Sequence, residues 1–492
     1  MARRCGHCGF ARHLDDMQLE KIEGGARCEK GFRVQRVSKG PKNYLFGFHD
    51  LVQTNACGDL ALALEVDDIT HPPLPGEKCR AGVLHLDELE AGNNFEAIHE
   101  TQTWNYPQGA RQQWIGESDL FTCNDRAADD ALICHISDAR AGKVVRTLQY
   151  PVHCVNARTR QTFGINFDRV HACGGYGYTP GVKQKVAKRI VDIPEDDGIF
   201  VGDLDGGAAR LLVSIAEVAS CGEKRPIRTG YPHYLTHLML NPSGTRLCFV
   251  DRYRVPDGGD IDRIMTIGVD GTDLRCIGKG FLSHFTWVDD ETIFIWGRDE
   301  QRLCAFREAA WLRIPGVLQS ALLAKRVMRF IRDRARGRSA ALSSPFGDKA
   351  FLTITDSEKP IFEKHAVGIL TEDGHPMASS ANHHFIICDT YPNKEGDRWL
   401  MYYDLDKNVR TNIGQFRRIF VEPNPKEFDV EGCLKGIDVR VQKKFPRPLY
   451  LFTRSGLHTD LHPRWSFDGQ TPYFDSIHEG TRQIYRVVEE GK

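Results

Sequence analysis

The 492-residue sequence predicts an all-β fold, a seven-bladed β-propeller with a helical insertion between blades five and six. Three observations predict it. From about Tyr44 onward the chain reads as short apolar strands split by turn residues, with few long helical periods. One strand-turn-strand unit recurs seven times. Repeats of roughly 40 residues and upward, each unable to bury both faces alone, suit a propeller better than a sandwich.

The repeat is clearest near the C-terminus. There His462 opens HPRWSFDGQTPYFDSIHEGTRQIYRVV, an apolar entry, an Asp-Gly turn, a strand ending in Asp-Ser and a further strand. Its echoes begin at His237 (HLMLNPSGTRLCFVDR), His284 (HFTWVDDETIFIWGR) and His375 (HPMASSANHHFIICDTYP). Six residues after each opening histidine stands a turn position: Ser243, Asp290, Ala381 or Asp468. The same template finds HDLVQTNACGDLALALE from His49, RQQWIGESDLFTCND from Arg111 and VHCVNARTRQTFGINFDR from Val152. The unequal spacing of these starts requires looped insertions. The organisation expected is an N-terminal extension over 1–43 and a propeller over 44–488, with insertions at about 305–345 and 423–456. Two or three separate all-β domains with similar hairpin turns are the competing reading.

With 65 Lys+Arg against 66 Asp+Glu, the net charge of −1 argues against a nucleic-acid binder, which needs a basic excess to displace counterions. At 41% hydrophobic the chain can bury a large core. No run approaches the ~20 apolar residues of a membrane-spanning helix. The opening MARRCGHCGFARHLDD is charged and lacks the apolar stretch of a secretory signal, so the cytoplasm is the expected compartment. The odd count of 15 cysteines fits buried thiols better than a disulfide framework. Cys5 and Cys8 form a CxxC without the βαβ context of a redox motif or a second zinc-ligand pair, which reads as an incidental feature.

The insertion after unit five sets Leu318, Leu322, Val327, Phe330 and Ile331 beside Lys325, Arg326, Arg329, Arg332, Arg334, Arg336 and Arg338. Such a basic helix over 318–338 either packs on a blade or offers peripheral contact with a membrane surface or an acidic polymer. The 423–456 insertion, rich in Pro and Lys, carries no interpretable motif, and the oligomeric state is open.

The repeat alignment has a chemical consequence. The first strand of each propeller blade lines the central channel, so residues at one phase of that strand converge on one mouth. That phase is held by His49, Arg111, Val152, His237, His284, His375 and His462, five histidines in seven positions from a chain with 19 in all. Neutral imidazoles from separate rigid blades can hold a divalent metal and leave positions open for substrate. His284, His375 and His462, from consecutive units, are the first choice as ligands, which frees His237 and His49 for acid-base work. Arg169, His171, Tyr176 and Tyr178 surround a Gly174-Gly175 pair after the third unit's strand, where a tyrosine and an arginine could protonate a leaving oxygen and neutralise a carboxylate. Asn105, Gln108 and Arg111 in WNYPQGARQQW read as groups for a hydroxylated ligand, with Arg464 of HPRW joining them. Asp475, His478, Glu479 and Arg482 read as a structural ion-pair network.

The in-phase histidines, HPRWSFDG followed by FDSIHEGTRQIY, and the SHFTW segment resemble the seven-bladed propeller polysaccharide lyases, chiefly oligogalacturonate lyases and more remotely ulvan lyases. The likeness runs from about Tyr44 to Arg486. It implies a uronic-acid oligosaccharide or polysaccharide in the central channel and chain cleavage by β-elimination. It also implies a divalent metal on histidines, manganese ahead of calcium or zinc. The family's metal histidines carry over to His284, and then to His375 and His462, although its Gln/His/His cluster has no clean counterpart here. Its catalytic arginine and Tyr/His pair suggest Arg169, Tyr178 and His237. His237 would take the C5 proton, Tyr178 would protonate the departing O4, and Arg169 or Arg111 would pair with the uronate. Two other classes compete: a non-catalytic propeller that binds glycan or protein, and a metal-dependent hydrolase. Against the hydrolase, the sequence shows neither a paired-carboxylate site for two metals nor a G-x-S-x-G elbow.

Overall fold

A computed structural model describes residues 25–309, isolated positions between 311 and 327, and residues 349–418, 421–444 and 446–490. The fold is an all-β propeller. Its sheets are antiparallel, with strands hydrogen-bonded in chain order, so each is an up-and-down unit with alternate connections on opposite faces. The first unit comprises Asn43–Leu45, Leu60–Val66, Cys79–His85 and Phe95–Thr101. Two further four-stranded sheets follow, beginning at Gln113–Trp114 and Cys154–Asn156. The next sheet has seven strands because the 13-residue Arg275–Trp287 is both the last strand of one run and the first of the following run. The last two sheets begin at Met377–Ala378 and Arg464–Trp465. The repeat starts at 49, 111, 152, 237, 284, 375 and 462 fall one to each run, within or just before its inner strand, except that His49 follows Asn43–Leu45 and precedes the Thr54–Ala61 bridge.

Closure departs from the expected boundary at residue 44. Ala26–Cys28 pairs with Val409–Arg417, and Phe32–Arg36 pairs with Gln483–Glu489, so the N-terminal segment supplies edge strands to the last two sheets. Pairing across almost the whole chain covers edges that would otherwise be exposed, and no local pattern announces it. The core is a series of apolar clusters between neighbouring sheets, such as Phe294, Phe351 and Tyr403 or Leu400, Trp465 and Phe474.

Gln301–Glu308 is a helix at the start of the first insertion, and the basic segment 318–338 lies largely outside the described residues, as do Cys5 and Cys8. The second insertion is also helical, with Val430–Cys433, Val439–Gln442 and Arg447–Arg454. Leu434, Ile437, Val441 and Tyr450 give it a small core against Leu74. It bonds to Pro72 through Cys433, to Asp192 through Arg440 and to Pro256 through Lys444. Those three partners lie between second and third strands of their units, on the face where the inner strands begin. The insertion therefore crosses that face of the propeller. No helix among the described residues is long and apolar enough to cross a membrane.

Candidate functional site

Phe48 is the centre of the site. Its ring centroid lies 4.3 Å from His49, 4.9 Å from His237, 5.0 Å from His462, 6.2 Å from His375 and 6.4 Å from His284. The five in-phase histidines therefore converge around one phenyl ring, with His284 and His375 at 4.3 Å and His375 and His462 at 4.4 Å.

The backbone explains how strand residues reach inward. Arg111, His237, His284 and His462 have φ of 53°, 58°, 39° and 42°, a left-handed conformation uncommon for side chains with a Cβ. At His237 and His284 the ladder slips, between Thr236 and Met239 and between Ser283 and Phe285, so each histidine sits on a bulge that re-aims its side chain. Backbone strain of this kind therefore recurs at one phase of the repeat.

Partners on the outer side orient the imidazoles. His49 Nδ1 faces the Pro376 carbonyl at 2.9 Å, and His462 Nδ1 faces that of Gly47 at 3.0 Å. Gly47 has φ 147°, and an added Cβ would stand 2.8 Å from the Gln108 carbonyl oxygen, which explains glycine there. His284 Nδ1 lies 3.0 Å from Asp373, and its Nε2 is 3.5 Å from the Tyr391 hydroxyl. His375 Nδ1 lies 2.8 Å from Asp389. His49 Nε2 and His237 Nδ1 are buried without a hydrogen-bond partner among the described residues.

Burial and then the neighbouring imidazoles hold His49 and His462 well below the ordinary histidine range. His237 is lowered as well, by burial, the Arg252 guanidinium and His284. These rings are neutral at neutral pH, the form that accepts a proton or binds a metal. His375 differs: burial opposes its charge, but the adjoining Asp389 carboxylate outweighs this and raises it.

One group of described residues has the donor set for a divalent ion. Ligand atoms of His375, Asp460 and His462 all lie within 4.8 Å of one another, and all three residues are buried. With Nδ1 of both histidines engaged elsewhere, Nε2 is the nitrogen left to ligate. Two imidazoles and a carboxylate suit manganese or zinc. His284 stands beside this group, and Asp460 replaces it in the compact trio.

The other sequence-derived candidates have structural partners. Tyr178 is fully buried, stacks on Phe167 at 4.4 Å and holds Asn124 Nδ2 at 3.0 Å. Arg169 donates to the carbonyls of His233, Val191 and Asp192. Neither makes a contact with the five rings among the described residues. His171 bonds the Lys435 carbonyl at 2.8 Å, and burial lowers it to about 4. Tyr176 lies under Arg454 at 4.1 Å, so both residues anchor the second insertion. Asn105 ties the Tyr176 and Gly177 carbonyls and accepts the Gln108 N–H. Arg111 is held by both oxygens of Asp50 at 2.8 and 2.9 Å, and by the His153 carbonyl. Arg464 is fully buried and bonds Gln53, Asp475 and the His462 carbonyl, a brace beneath the ring.

Sequence reasoning missed Phe48, Asp389, Asp460, Asp373 and Tyr391. A signal existed for two of them, since Asp373-Gly374-His375 and Asp460-Leu461-His462 repeat the spacing Asp-x-His in consecutive units.

No family model and no curated protein sequence matches the chain. Among solved structures it is similar to an oligogalacturonate lyase in complex with manganese, at 13% identity and TM-score 0.50, covering 95% of this chain and 96% of that one. It is also similar to an oligogalacturonate lyase from Vibrio parahaemolyticus, at 12% identity and TM-score 0.51, covering 94% and 95%. At these identities the likeness establishes the β-propeller scaffold over nearly the full length of each chain.

Proposed function

We propose that the protein is a lyase that cleaves a uronic-acid-containing oligosaccharide or polysaccharide by metal-assisted β-elimination at this mouth of a seven-bladed propeller. The observation that carries the reading is the convergence of five histidines on Phe48 beside the His375, Asp460 and His462 ligand group. In a hexuronate the C5 proton lies next to a carboxylate, and its removal builds negative charge that must be stabilised. A divalent cation held by His375, Asp460 and His462, with manganese the first choice, would supply that stabilisation when bound. His237 is the proton acceptor, being neutral and having an unpartnered Nδ1. As the proton leaves C5, its electron pair forms the C4–C5 double bond and the C4–O4 bond breaks. Tyr391, beside His284, takes over from Tyr178 as the donor to O4.

The product carries a C4–C5 double bond conjugated with the carboxylate and absorbs in the near ultraviolet. A panel of uronic-acid oligomers and polymers, incubated with the protein and Mn²⁺, Ca²⁺ or Zn²⁺, is expected to develop that absorbance. Its absence with every glycan and every metal overturns the reading.

A further inference from the structure

Units six and seven bury more positive charge than their hydrogen bonds satisfy. Arg398, near the start of the strand Asp397–Asp404, is 1% exposed, and none of Nε, Nη1 and Nη2 has a hydrogen-bond partner among the described residues. Arg482, also 1% exposed, donates through Nη2 to the Tyr106 carbonyl at 3.0 Å and to Asp475 at 3.2 Å, but its Nε and Nη1 have no partner. A guanidinium is always charged, and its burial without acceptors is strongly unfavourable.

Of the three nearby carboxylates, Asp475 and Asp389 are committed elsewhere. Asp475 already serves Arg464 as well as Arg482. Asp389 is engaged by His375 and by the His462 backbone N–H. Asp460 pairs with His458 at 3.3 Å through Oδ2, and its Oδ1 is unpartnered. Asp389 pairs across the ladder with Leu400, two residues from Arg398, and accepts the His462 N–H, while Arg464 and Asp475 link His462 to Arg482, so the two arginines flank the buried polar region of the candidate metal ligands. If a divalent ion joined Asp460, this region would carry still more positive charge.

We propose that Arg398 and Arg482 form a buried oxyanion site, suited to a carboxylate, beside Asp460 and His462. The unpartnered nitrogens of Arg398 present the planar fork that binds a carboxylate through two parallel hydrogen bonds, and Arg482 adds a second donor edge. The site stands on these orphaned nitrogens. Only the identification of its anion as a uronate carboxylate rests on the lyase reading.

Thermal unfolding of the full-length, chelator-treated protein tests this without turnover. At constant ionic strength in a chloride background, sodium acetate, phosphate or D-glucuronate is titrated, with D-glucose as the neutral control. The Tm is expected to rise with oxyanion concentration, and Arg398→Met is expected to abolish the rise. An increase with acetate and phosphate assigns the site to small free oxyanions; one confined to glucuronate assigns it to sugar acids. Arg398→Lys and Arg482→Lys keep the charge and lose the fork, and each is expected to raise the half-saturating concentration about tenfold. These variants decide the matter if Arg398→Met does not fold. No shift beyond chloride with any anion, or an undiminished shift in the arginine variants, overturns the site. A shift in a protein that yields no unsaturated product would retain the site and remove the lyase reading.

Discussion

Asp389 Oδ1 lies 2.8 Å from Nδ1 of His375, and the other oxygen of the same carboxylate accepts the backbone N–H of His462 at 3.2 Å. One acid from the neighbouring strand thus orients the His375 imidazole, fixes which of its nitrogens faces inward and holds the backbone of His462. Outer partners of this kind typically change metal affinity about 10–100-fold. Asp389→Asn is expected to weaken Mn²⁺ binding by that factor in calorimetric titration while the far-ultraviolet dichroism is retained. Unchanged affinity would detach Asp389 from the metal.

Left-handed backbone at His237, His284 and His462 gives a comparison with an unusual sign. In an ordinary strand, glycine is less stable than alanine by about 0.5–1 kcal/mol. At these positions the Cβ is what strains the backbone, at roughly 1–2 kcal/mol. His237→Gly should therefore be more stable than His237→Ala by about 1 kcal/mol in urea denaturation. A less stable glycine variant would mean that the bulge relaxes once the histidine is gone.

Acid stability follows from the lowered histidines. His49, His153, His237 and His462 are held well below the free value of 6.5, chiefly by burial, and burial brings His99, His171 and His478 to about 4. Each is neutral when folded and binds a proton more readily when unfolded. Their contribution is complete above about pH 6.5 and is lost as the pH falls toward 4. His375, raised by Asp389, opposes this, because its contribution is present at low pH and lost as pH rises. His365 is lowered by burial as well, so eight described histidines stand against one, and the Tm is expected to drop steeply between pH 6.5 and 4. A flat profile across that window would contradict the burial of these rings.

Phe48 holds the site by volume. It is 3% exposed and touches all five rings, so Phe48→Ala leaves a cavity with no single side chain to refill it. A loss of about 3–5 kcal/mol in chemical denaturation is expected, together with loss of Mn²⁺ binding. Retention of both would show that the histidines hold their places without the central ring.

The repeat and the phase of its histidines were legible because both are local: strand alternation, Asp-Gly turns and a fixed distance from histidine to turn can be read along a few residues. Tyr178, Arg169, His171 and Tyr176 were misleading for the same reason. They follow one another around Gly174 and Gly175, but His171 and Tyr176 bind Lys435 and Arg454 of the second insertion, whereas Tyr178 and Arg169 are tied to Asn124 and to the His233 carbonyl.

By itself, then, the sequence determined an all-β repeat and the five histidines carried in phase on its inner strands, since the strand period fixes which side chains share a face. Only the tertiary structure decided that Phe48 lies among them, that Asp460 joins His375 and His462, and that Arg398 is buried without acceptors among the described residues. It also decided that strands at 26–28 and 32–36 complete the last two sheets. These relationships join residues far apart in the chain or on different sheets, and their energies come from packing and desolvation, which a linear pattern does not carry.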